Sequence, residues 1–82
     1  MFFFRVTVTG ESMWPRLTPG QTYWASSLLP YRVGSIVVVG TTHRMVIKFV
    51  RSIDEDQITL GGTQPSAQSI TVKTEQVLGR LL

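Results

Sequence analysis

Ile36-Val37-Val38-Val39, held between Gly34 and Gly40, is the stretch that most restricts what this chain can fold into. An unbroken β-branched run of this length reads as a strand buried on both faces. Nearer the N-terminus, Phe2, Phe4, Val6 and Val8 alternate with Phe3, Arg5, Thr7 and Thr9, the period of two that marks a half-buried strand. Pro15, Pro19 and Gly20 then break the chain, and Thr18-Pro19-Gly20-Gln21 carries proline and glycine at the central positions of a type II turn.

The rest follows the same rhythm. A short strand over 21–26 precedes a loop at Leu28-Leu29-Pro30-Tyr31, and Thr41-Thr42-His43-Arg44 connects the central run to a returning strand over 45–53. Asp54-Glu55-Asp56 is a turn, 57–60 a short strand and 61–69 a polar loop, and segments over 70–74 and 77–82 close the chain. No window sustains a helical period. The expected fold is all-β, a single domain over residues 1–82 in which short strands close into a small barrel-like or sandwich fold.

Composition removes several function classes. A domain of 82 residues buries only about 60% of the surface its unfolded chain exposes, which argues against a large pocket. The net charge of +3 comes from six arginines and two lysines against five acids. The arginines stand singly, with no basic run to track a phosphate backbone, so nucleic acid is not signalled as a partner. Cysteine is absent, which excludes thiolate catalysis, disulfides and cysteine metal sites. Met1-Phe2-Phe3-Phe4 ends at Arg5, far short of the roughly 20 residues of a membrane span. The expectation is a soluble, cytoplasmic chain, or a membrane-associated one if an anchor precedes it. The apolar opening points to a homodimer or a partner chain.

The two lysines sit in different surroundings. Lys73 shares its strand face with Thr71 and Glu75, whereas alternation puts Lys48 between Val46 and Val50. An ammonium on an apolar face is relieved by losing its proton, and a neutral lysine is a base. A lysine that snorkels to the sheet edge, or guards an edge strand, explains the same pattern. Ser12 also has two readings. Its hydroxyl is either a turn hydrogen-bonder or a nucleophile held rigid by Gly10, Met13, Trp14 and Pro15, because a serine hydroxyl paired with a lysine base can attack a carbonyl.

Gly10-Glu11-Ser12-Met13-Trp14-Pro15-Arg16-Leu17 with Pro19-Gly20 resembles the nucleophile box of the type I signal peptidases, G-x-S-M-x-P-x-L followed by P-G-D. Val46-Ile47-Lys48-Phe49-Val50 is similar to their lysine box, and Arg32-Val33-Gly34-Ser35-Ile36-Val37-Val38 to their R-x-G-D-I-V-V segment. Gly61-Gly62-Thr63 and Ser66-Ala67-Gln68-Ser69 match the G-D-N and S-x-D-S-R segments more weakly. The short interval from serine to lysine is closer to LexA-like self-cleaving repressors and the small maturation proteases of nickel superoxide dismutase. Gln21, Ser35, Phe49, Gln68 and Ile70 depart from the charged residues of the pattern.

The resemblance implies a LexA-like or signal peptidase-like fold and peptide-bond hydrolysis by a Ser12/Lys48 dyad. Ser66 would orient the lysine, and backbone N–H groups at Ser12 and Glu11 would form the oxyanion hole. No metal and no organic cofactor is required. The substrate would add as an extended strand beside the first strand and residues 45–48, with Val8, Gly10, Met13, Leu17, Val46 and Ile47 around it and small residues before the scissile bond.

Rival readings stay open. One is an inactive member of the fold that binds extended peptides. Another is a small basic barrel whose Trp14, Tyr23, Trp24 and Tyr31 stack on single-stranded nucleic acid. His43 in its turn could pair with Asp54 in a triad, but reads first as an exposed turn residue. Asp54-Glu55-Asp56 lacks the further ligands and glycine of a calcium loop.

Overall fold

The computed structural model describes residues 2–63 and 68–82. In it β1 (Phe3–Thr7), β2 (Thr22–Ser26), β3 (Ile36–Gly40), β4 (Met45–Asp54), β5 (Gln57–Gly61), β6 (Ile70–Lys73) and β7 (Val77–Leu81) form one antiparallel sheet, in the order β1-β2-β7-β3-β4-β5-β6. One 3-10 turn (Thr74–Gln76) leads into β7. The all-β expectation holds.

The β-branched run becomes β3 and is covered from both sides. Val37 and Val39 join Val50, Ile58, Leu60 and Val72 in one core cluster. Val38 belongs to a second cluster with Val6, Val8, Met13, Leu17, Ala25 and Leu81. Alternation along a strand sends successive side chains to opposite faces, so three consecutive valines anchor two cores. The first strand obeys the same rule, with Val6 and Val8 buried while Phe3, Arg5 and Thr7 face solvent.

The turns fall where the small residues and prolines place them. Gly20 takes φ +86°, and the Gln21 N–H donates to the Thr18 carbonyl at 3.1 Å, as a type II turn requires. At the β3–β4 hairpin the Thr41 N–H donates to the Arg44 carbonyl at 2.8 Å, and the Thr41 hydroxyl donates to the same oxygen at 2.7 Å.

Closure into a barrel is the expectation that fails. Among the described residues no ladder joins β1 to β4 or to β6, and the sheet stays open. Two features cause this. The last strand, β7, pairs between β2 and β3 and does not close the sheet. β5 meets β4 only from Phe49 onward, and beyond Gly61 the chain turns away, so that the Thr63 N–H bonds to the Ser12 carbonyl at 2.7 Å. Among the described residues the first residues of β4 therefore keep one unpaired edge.

Candidate active site in the gap of the sheet

A cleft of about 410 Å³ occupies this gap, with residues 5–13 on one wall, residues 44–48 on the other and Val38 between them. Its walls are two open strand edges. In an antiparallel ladder, residues that exchange hydrogen bonds with the neighbour alternate with residues whose N–H and C=O point away. The Ser27 N–H donates to Phe2 and the Val8 N–H donates to Gln21, at 2.9 and 3.0 Å, so the even residues of β1 face β2. Phe3, Arg5 and Thr7 are left pointing outward. On β4, the Thr41–Arg44 bond and the 2.8 Å bond from the Val50 N–H to Ser35 set the even residues toward β3. Met45 and Ile47 then direct their backbone groups toward the gap.

Ser12 reaches the cleft on a tight turn. The Trp14 N–H donates to the Glu11 carbonyl at 3.0 Å, and the Leu17 N–H donates to the Met13 carbonyl at 2.9 Å. Gly10, at φ +77° with nothing within 4 Å of where a Cβ would stand, is needed for its backbone angle and not for space. Met13, 1% exposed, plugs the turn into the core. The Trp14–Pro15 peptide is cis. Among the described residues the N–H groups of Glu11 and Ser12 have no acceptor and the Ser12 hydroxyl has no partner. That leaves a half-buried hydroxyl next to free backbone donors.

Lys48 lies opposite Val37 in the β3–β4 register and is half-buried. Burial, and secondarily the nearby Arg44 guanidinium, hold its ammonium below the usual lysine range. Both causes favour the neutral amine. Ser12 and Lys48 line the same cleft, and no hydrogen bond joins their side chains among the described residues.

The other residues singled out in the sequence divide. Val8, Gly10, Met13, Val46 and Ile47 line the cleft with Ser12 and Glu11. Leu17 does not. Its N–H bond back to Met13 turns it inward, where it is 5% exposed and packed in the core. Ser66 lies outside the described residues. His43 and the Asp54-Glu55-Asp56 turn are exposed, and among the described residues no three metal-ligating side chains converge. No helix there is long and apolar enough to cross a membrane.

Sequence reasoning missed two elements of the site. Thr63 ties down the Ser12 turn, its hydroxyl donating to the Trp14 carbonyl at 2.6 Å and, at 3.4 Å, to that of Ser12. Only the folded chain brings these residues together. Arg44 was legible, since alternation through Val46 sets it on the face of Lys48. Compared with protein-family models, curated proteins and solved structures, the chain matches none.

Proposed function

We propose that this chain is a serine endopeptidase of the signal peptidase and LexA-like kind, with Ser12 as nucleophile and Lys48 as general base. The observation that carries the reading is the convergence, in one cleft, of a serine on a hydrogen-bonded turn, a lysine held toward its neutral form and two strand edges that are unpaired among the described residues. An extended segment entering the gap would meet free N–H and C=O groups on both sides, the strand-addition mode of peptide recognition.

In the proposed reaction the neutral Lys48 amine takes the Ser12 proton as the hydroxyl oxygen adds to the scissile carbonyl. Backbone N–H groups at Ser12 and Glu11 receive the oxyanion. Collapse breaks the C–N bond, and the Lys48 ammonium returns its proton to the leaving nitrogen. Lys48 then deprotonates a water that hydrolyses the ester and frees Ser12. The missing Ser12–Lys48 hydrogen bond does not contradict this, because such bonds are often long without substrate. Cleavage after small residues is the specificity the resemblance favours.

The test is cleavage profiling of a mixed peptide library by mass spectrometry, with Ser12→Ala and Lys48→Ala alongside. Cuts made by the wild type and lost in both variants, each still folded, support the dyad. A folded wild type that binds library peptides and cuts none replaces the enzyme with a peptide-binding relict.

A further inference from the structure

The cleft carries a charge that the proposed chemistry does not need. Arg5, Arg44 and Lys48 line it, against a single acid, Glu11. Of the four remaining acids, three stand on the β4–β5 turn and the fourth is Glu75. Neither Arg5 nor Arg44 forms an ion pair among the described residues. The Arg5 guanidinium lies over the Trp24 ring, 5.7 Å from its centroid, and Arg44 is exposed. No carboxylate offsets the influence of Arg44 on Lys48. A cleft with low-dielectric walls and one sign of charge concentrates ligands of the other sign.

We propose that the cleft selects extended peptide segments bearing acidic side chains, with Arg44 and Arg5 as the residues that read them. The inference rests on the reading that the gap takes a peptide strand. Side chains along such a strand alternate between faces, so acidic residues two apart would present their carboxylates on one side, toward the arginines. Single-stranded nucleic acid is the other polyanion to weigh, and the site disfavours it. Among the described residues no aromatic side chain lines the cleft to stack a base. A phosphodiester chain also offers no regular N–H donors to the outward carbonyls of Arg5, Thr7, Met45 and Ile47.

Binding to the full-length Ser12→Ala chain tests the inference apart from hydrolysis. The probes are three fluorescein-labelled alanine–valine decapeptides with Glu, Gln or Lys at alternate positions, and a labelled ten-nucleotide oligothymidine. The Glu peptide should bind about fivefold tighter than the Gln peptide at low ionic strength, the scale of one or two exposed charge pairs. The advantage should shrink with added salt. Arg44→Gln should remove most of it, and Arg44→Glu should transfer the preference to the Lys peptide, each in a chain that still unfolds cooperatively on heating. Equal binding of the Glu and Gln peptides overturns the inference, as does a preference that survives Arg44→Gln and Arg5→Gln together. Oligothymidine binding tighter than the Glu peptide overturns it in favour of nucleic acid. An acidic preference in Ser12→Ala with no hydrolysis by the wild type leaves the inference standing and removes the peptidase. Hydrolysis indifferent to acidic residues does the reverse.

Discussion

The Thr63 N–H donates a 2.7 Å hydrogen bond to the Ser12 carbonyl, joining residues 51 positions apart. The Thr63 hydroxyl adds a 2.6 Å bond to the Trp14 carbonyl, so one residue grips the serine turn at two points. Thr63→Val keeps the first bond and deletes the second. The expected loss of stability is about 1 kcal/mol, the ordinary net worth of one hydrogen bond. If Thr63 positions Ser12, kcat should fall on the order of tenfold with KM little changed, because small misplacements of a reacting group are costly. Thr63→Ser should restore both quantities. Denaturant unfolding and steady-state cleavage of one fluorogenic peptide measure them, and a stability loss with kcat intact would reduce Thr63 to a scaffold residue.

The depressed titration of Lys48 makes two signed predictions. Activity should rise with pH along a limb lying below 10.5, the ordinary lysine value, because burial and then Arg44 disfavour the ammonium. Arg44→Gln removes the second cause and should move that limb upward. Stability has the same sign. Between the lowered pKa and 10.5 the folded chain binds fewer protons than the unfolded one, so stability rises with pH across that window. The contribution is full above the window and is lost as pH falls through the folded pKa. Lys48→Met should flatten this rise and stabilise the chain at neutral pH, read as urea midpoints from pH 7 up to pH 10.5. A Lys48→Met chain with the wild-type pH slope would show that Lys48 is not the group responsible.

What was legible in the sequence was local. The valine run of β3, the alternation of β1, the glycine at the turn before Gln21 and the Thr41–Arg44 hairpin each depend on residues a few positions apart, and periodicity and turn chemistry report such features directly. Which edge meets which is not local. Nothing in Val77 or Leu81 announces that β7 slips between β2 and β3, and nothing in Gly61-Gly62-Thr63 announces that the chain leaves β4 to reach Ser12. Those two long-range choices turn an expected barrel into an open sheet. The candidate site divides the same way: Ser12 and Lys48 stand out by their immediate neighbours, while the cleft between them exists only because two edges remain unpaired.

Met13 and Leu17 sharpen the point, since an apolar residue beside a proposed nucleophile reads equally well as pocket wall or as core. Met13 lines the cleft yet is 1% exposed, and it shares a cluster with Leu17, Val6 and Val8. Its main physical role is therefore to anchor the serine turn. Met13→Ala should cost about 2–5 kcal/mol, the range for a buried methionine, a large share of the stability of a domain this small. Met13→Leu, nearly equal in volume, should cost under about 1.5 kcal/mol and keep the chain folded. The two together separate the roles by denaturant unfolding and cleavage profiling. An anchor predicts that Met13→Leu leaves the order of preferred peptides unchanged and that Met13→Ala weakens cleavage of all of them alike. Bulkier residues accepted before the scissile bond in Met13→Ala, with stability preserved, would make Met13 a wall of the specificity pocket instead.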